Sequence, residues 1–151
     1  MRVIVKSAVF AVVGLVVLAG AASAQGIGWG NVQWPVPDYV GSSCAGTGFY
    51  GQVWIDGVTS LPGATPGLTA QLGFGPVGSE PDETWYWIDA EFNVDVGNND
   101  EFVVYLDHYL PVGLYDYLYR YEYLEGTGWT FCDIDGPGWE NPGSAEITES
   151  C

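Results

Sequence analysis

Beyond an apolar block at its start, the chain places apolar side chains mainly at every second position. That period belongs to strands, whose side chains alternate between two faces. Gly and Pro recur too often for ordinary helices. The alternation predicts strands over Asn31–Trp34, Phe49–Asp56, Leu68–Phe74, Trp85–Phe92, Glu101–Leu106, Leu114–Leu124 and Trp129–Asp133, with a weaker one over Ala145–Thr148. Turn-forming runs separate them, among them Thr65-Pro66-Gly67, Gly97-Asn98-Asn99-Asp100, Glu125-Gly126-Thr127-Gly128 and Asp135-Gly136-Pro137-Gly138. Seven or eight short strands of this kind predict an all-β fold, an immunoglobulin-like two-sheet sandwich of antiparallel strands.

The same alternation sorts side chains into faces. In Leu68–Phe74 the set Leu68, Ala70, Leu72, Phe74 faces a core. In Trp85–Phe92 the inward set is Tyr86, Ile88, Ala90, Phe92, so Trp85, Trp87, Asp89 and Glu91 face water, because unpaired acids are costly to bury. Val53 and Ile55 point inward, leaving Tyr50, Gln52, Trp54 and Asp56 outward. Phe102, Val104 and Leu106 point inward, leaving Val103 and Tyr105 outward. Tyr115, Tyr117, Tyr119, Tyr121 and Tyr123 form one stripe opposite Asp116, Leu118, Arg120, Glu122 and Leu124. The charged set marks the solvent side, so the tyrosines lean inward and their hydroxyls need partners at the rim. Arg120 lies between Asp116 and Glu122 and is expected to pair with them.

The opening block divides the chain. Arg2 and Lys6 precede an apolar run from Ala8 to Leu18, and Ala22-Ser23-Ala24 fits a small-x-small cleavage site. Residues 1–24 are therefore expected to be a signal peptide and 25–151 a single domain, secreted to the extracellular space or periplasm of a bacterium. The run is short for a span, so no membrane insertion is expected after cleavage. Removing the leader leaves 19 acids against Arg120 alone. Such a polyanion repels phosphate, which excludes nucleic acid as a partner. A neutral glycan or a surface protein remains.

Export implies disulfides. Cys44 opens one strand-like segment and Cys132 ends another, which favours a Cys44–Cys132 bridge. Cys151 is left to fray, to pair with another chain or to compete for Cys44.

The outward aromatics Tyr50, Trp54, Trp85, Trp87 and Tyr105, beside Asp56, Asp89 and Glu91, form the candidate ligand site. Flat rings stack on sugar rings, and carboxylates accept hydrogen bonds from hydroxyls. Exposure of Trp85 and Trp87, coplanar with Trp54 or Tyr105, would favour a glycan-binding module. Their burial would favour a structural or adhesive surface module. No cofactor is required, but calcium is possible at two acidic turns, one with Asp95, Asn98 and Asp100, the other with Asp133 and Asp135. An enzyme is not expected: there is one histidine, no Gly-x-Ser-x-Gly elbow and no phosphate loop.

The stretches Asn31-Val32-Gln33-Trp34-Pro35, Gly51-Gln52-Val53-Trp54-Ile55-Asp56-Gly57-Val58-Thr59, Gly63-Ala64-Thr65-Pro66-Gly67, Phe92-Asn93-Val94-Asp95-Val96-Gly97-Asn98-Asn99-Asp100-Glu101, Tyr115-Asp116-Tyr117 and Trp129-Thr130-Phe131-Cys132-Asp133 resemble a group of secreted bacterial modules of unassigned function. The resemblance implies an immunoglobulin-like fold and a binding or spacer role. The Tyr-x-Tyr strand, Gly turn and Trp are more loosely similar to the closing hairpin of starch-binding-type modules. The group carries Cys just before the Asn-x-Gln-Trp-Pro stretch, where this chain has Gly30, and the resemblance implies that Cys44 takes that role.

Overall fold

The structure, a computed structural model, describes residues 25–151; the expected leader lies outside them. Ten strands follow in chain order: β1 (Trp29–Trp34), β2 (Asp38–Ser42), β3 (Thr47–Trp54), β4 (Leu68–Pro76), β5 (Tyr86–Asp89), β6 (Glu91–Val96), β7 (Asn99–Leu106), β8 (Gly113–Tyr123), β9 (Thr130–Cys132) and β10 (Gly143–Glu149). They form a sandwich of two sheets. One has the order β1-β3-β7-β6; the other has the order β2-β10-β8-β4-β5, with β9 also on β8. Pairing is antiparallel throughout, except that β2 and β10 run parallel. Among the described residues no helix is long and apolar enough to cross a membrane.

Two elements differ from the expected pattern. β2 carries little local signal, since Pro37 precedes it and Gly41 interrupts it; its partner β10 lies about a hundred residues away in the chain. The expected strand Trp85–Phe92 is two strands in different sheets. β5 pairs with β4, β6 pairs with β7, and the chain crosses at Ala90, whose amide still donates to the Ala70 carbonyl at 2.9 Å. Alternation continues through such a crossing, so the pattern alone cannot reveal it.

The inner faces meet as expected. Phe49, Val53, Ile55, Val104 and Leu106 from one sheet pack on Leu72, Phe74, Tyr117, Tyr119, Tyr121 and Ile147 from the other. Phe49 sits at the centre, edge-on to Tyr39, Phe74 and Tyr117 at 5.1, 5.5 and 5.2 Å. The tyrosine stripe does lean inward, but its hydroxyls are not satisfied merely at the rim. Tyr119 donates to the Phe49 carbonyl at 2.6 Å, Tyr121 to the Asn31 carbonyl at 3.1 Å and Tyr117 to the Pro35 carbonyl. The β8 tyrosines thus reach backbone of β1, the turn after it and β3, bridging the two sheets. Room comes from glycine: a β-carbon on Gly51 would sit 2.6 Å from the Tyr119 ring.

The disulfide differs from expectation. Cys44 bonds Cys151, and Cys132 is a buried free thiol. The parallel pairing of β10 with β2 explains this, because both strands finish at the same end of the sheet. The residues after β10 then meet the turn after β2, where the Ser43 amide donates to the Glu149 carbonyl at 2.9 Å. Cys132 instead points inward beside β1, where an ideal β-carbon on Gly30 would lie 3.0 Å from its sulfur.

Burial holds the Tyr119 and Tyr121 hydroxyls well above the ordinary tyrosine range. In the unfolded chain they ionise near pH ~10. Above that pH the unfolded state binds fewer protons, so stability falls as pH rises. Alkaline unfolding monitored by circular dichroism should begin above pH ~10 and coincide with tyrosinate absorbance. Early titration of all ten tyrosines, before unfolding, would contradict the bridges.

Burial also pushes the Cys132 thiol up to about 12. A thiol reagent should find no reactive group in the native protein and one after denaturation. The 3.0 Å spacing at Gly30 is close to that between a β-carbon and the partner sulfur of a disulfide, about 3 Å. In Gly30→Cys, with a small shift of the Tyr121 ring, oxidation should remove the denatured thiol; a titre of two would contradict the geometry.

Candidate functional site

The outer face of the six-stranded sheet holds a trough, because Gly73 and Gly75 on β4 carry no side chain. Trp87 lies across Gly73, where a β-carbon would clash with the indole, and Trp85 lies likewise across Gly75. The two indoles stack at 5.8 Å with 18° between planes. Trp85 is 5% exposed, and its indole N–H donates to the Ser79 hydroxyl at 3.1 Å. Trp87 is half-buried and donates to the Asp82 carbonyl at 2.8 Å. The expected exposure of both rings is therefore not found: Trp85 is buried and Trp87 is only partly exposed, each bonded through its indole to the 77–84 loop. That loop is tied down by Asp116, which accepts from the Gly78 amide at 2.7 Å. Within it, the Thr84 hydroxyl and amide hold the Asp82 carboxyl below the usual carboxylate range.

Arg120 continues the stack. Its guanidinium lies 3.9 Å from the Trp87 ring centre and 4.3 Å from that of Trp129. It donates to Gln71 at 2.8 Å and pairs with Glu83 at 2.8 Å. The expected pairing with Asp116 and Glu122 is not formed, since the aromatic sandwich directs the guanidinium across β4. Asp116 is occupied by Gly78, and the Glu122 carboxylate accepts from the Gly126 and Gly128 amides at 3.2 and 3.1 Å. Those two bonds fix the 124–129 turn that carries Trp129.

Trp129 is half-buried and borders an open groove of about 470 Å³, with Thr69, Gln71, Asp89, Glu122 and Glu125 as its polar lining. Asp89 accepts from Gln71 at 2.7 Å, leaving its second oxygen for a ligand. A flat ring beside carboxylate and amide acceptors suits a polyhydroxylated, uncharged ligand.

The four-stranded sheet presents the other expected residues. Register places Trp34, Tyr50, Val103 and Glu91 in one row across β1, β3, β7 and β6. Trp34 is 52% exposed and Tyr105, two residues beyond Val103, is 57% exposed. Tyr50 is half-buried, 6.4 Å from Trp34 between ring centres. Tyr105, Asp89, Glu91 and His108 line a cleft of about 280 Å³ at the rim, so Asp89 and Glu91 meet there although their strands belong to different sheets. Trp54 is half-buried further along β3 and packs on Gly28, with Asp56 exposed beyond it.

The expected site residues therefore divide between two faces. Trp34 and Trp129 escaped sequence reasoning. A bulge between Val32 and Trp34 breaks the alternation and turns Trp34 outward, although simple parity would place it inward with Val32. Trp129 precedes β9, and its Gly-rich turn was the available signal.

The acids of the two proposed calcium loops are engaged by the chain. Asp95 accepts from the Gly63 amide at 2.9 Å through one oxygen and 3.1 Å through the other. Asp100 is buried and accepts from the Thr65 amide at 3.0 Å, while its other oxygen has no partner; burial raises its carboxyl above the usual range. Asn98 contributes its carbonyl to the Thr59 hydroxyl at 2.7 Å. Asp133 accepts from the amides of Asp135, Gly136 and Asn141, and Asp135 accepts from the Asn141 side chain at 2.7 Å.

Sequence comparison relates the chain to amylopullulanases. It is 32% identical to that of Thermoanaerobacterium saccharolyticum over 131 residues, covering 75% of this chain and 10% of the relative. The amylopullulanase of Thermoanaerobacter thermohydrosulfuricus is 29% identical over 118 residues, covering 66% and 8%. That of Thermoanaerobacterium thermosulfurigenes is 29% identical over 131 residues, covering 74% and 7%. The chain spans a tenth or less of the length of these relatives. No family model and no solved structure matches it.

Because internal amides already engage these acids, the melting temperature should be the same in EDTA and in millimolar calcium. A calcium-dependent rise would show that the acidic turns bind the ion.

Proposed function

We propose that this chain is an exported, non-catalytic module that binds neutral polysaccharide in the groove beside Trp129. The carrying observation is the mounting of that ring. Arg120 backs one face of it, Glu122 fixes its turn, and Gln71, Asp89 and Glu125 stand beside it as hydrogen-bonding groups. A ring held in place loses little freedom when a sugar stacks on it. The net negative charge does not oppose an uncharged ligand. Similarity to segments of amylopullulanases supports an α-glucan as the polysaccharide. The open groove offers no enclosed acid pair, which supports binding without hydrolysis. The Cys44–Cys151 bridge suits an oxidising compartment.

The burial of Trp85 and Trp87 favours a second reading, a structural or adhesive module without a small ligand. Native electrophoresis through gels containing pullulan or amylopectin separates the two. The intact protein should be retarded, and Trp129→Ala should weaken binding of short α-glucans in the groove below detection, by more than tenfold or about 1.4 kcal/mol. Migration unchanged by any neutral polysaccharide would leave the structural reading.

A further inference from the structure

We infer that the opposite face of the sandwich, the row Trp34–Tyr50–Tyr105 on the four-stranded sheet, is a second and independent polysaccharide site. This rests on the reading of the Trp129 groove as a glycan site, and it makes the module bivalent.

The row is built by register and one bulge. Trp34 pairs with Tyr50, and Tyr50 pairs with Val103 on β7. The Tyr50 ring lies over Gly48, where a β-carbon would sit 2.7 Å from a ring carbon; Gly48 is itself the cross-strand partner of Tyr105. Glycine therefore lets Tyr50 lean towards Tyr105, closing the gap along the row. The rings of Trp34 and Tyr105 are more than half exposed, so the chain itself leaves much of their surface open.

The surroundings select the class of ligand. Next to the row, the outer face is a polar ladder: Gln52 donates to Glu101 at 3.1 Å, Asn93 donates to Glu101 at 2.7 Å, and Asn99 donates to Gln52 at 3.1 Å. This ladder is internally bonded and forms a stiff floor. Past Tyr105, the rim cleft offers Glu91 and His108; Asp89, which also lines it, belongs with the Trp129 groove. A row of rings with a polar ladder along one side and carboxylate and imidazole groups at its end matches successive sugar units, each with an apolar face and a hydroxyl edge. An apolar protein partner would find acids where it needs a continuous apolar surface. An anionic partner would meet a surface already rich in carboxylates.

The two sites lie on different sheets, whose planes pack about 10 Å apart and whose outer faces point in opposite directions. A short oligosaccharide cannot stack on Trp129 and on the Trp34–Tyr50–Tyr105 row at once. Two polysaccharide chains, or two segments of one long chain, can.

Calorimetry with maltohexaose tests this on the intact protein and three variants. The intact protein should bind two equivalents. Trp129→Ala should retain one, the double variant Trp34→Ala, Tyr105→Ala should retain one, and the combined variant should retain none. The double variant should keep the parent's circular dichroism and melting behaviour, because the residues of the second site stand on the surface; Trp34→Phe and Tyr105→Phe serve as controls that retain a flat ring. On pullulan, the intact protein should bind about 10²-fold more tightly than either single-face variant, through effective concentration. One equivalent for the intact protein, unaffected by the double variant, would overturn the second site and leave the Trp129 groove standing. One equivalent lost only in the double variant would overturn bivalency and reject the groove. No binding in any sample would overturn both readings.

Discussion

The interaction on which the sandwich depends is the reach of tyrosine hydroxyls from β8 to the backbone of the facing sheet. Tyr117, Tyr119 and Tyr121 are fully buried, and each ends on a main-chain carbonyl of Pro35, Phe49 or Asn31. A core of aliphatic side chains alone would fix the sheets less closely, because apolar contact is non-directional. A hydroxyl buried without a partner costs free energy, so each tyrosine specifies the distance and offset of the opposite strand. The outer faces inherit that placement, including the row on β3 and the groove beside β8.

Glycine is the counterpart of the aromatics throughout. Inside, Gly51 and Gly30 leave space for Tyr119 and Tyr121; outside, Gly73 and Gly75 receive Trp87 and Trp85, and Gly48 receives Tyr50. Where rings lie flat on glycine and under a loop, as at Trp85, they become part of a small second core. Where the chain leaves them open, as at Trp34 and Tyr105, or half-open at the edge of a groove, as at Trp129, they are available to a ligand. Arg120 belongs to both: it packs between Trp87 and Trp129 and joins the covered stack to the open groove. The excess of acid is similarly divided, since Asp116, Glu122 and Asp133 hold turns in shape while Asp89 and Glu91 face ligand-sized clefts.

Sequence periodicity by itself determined the all-β class, most strand positions and the inward lean of the tyrosines, because a strand's two faces are written two residues apart in the chain. It also determined which ligands the charge disfavours. Tertiary structure alone decided that Trp85–Phe92 splits between sheets and that β2 runs beside β10, which brings Cys151 to Cys44. It also decided that a bulge turns Trp34 outward while a loop covers Trp85. Each of these depends on a contact between distant segments or on one inserted residue, and neither can be read from the apolar–polar pattern of the sequence. An outward position in a strand states only which side of a sheet a ring is on; whether water or another part of the chain lies above it is a property of the folded whole.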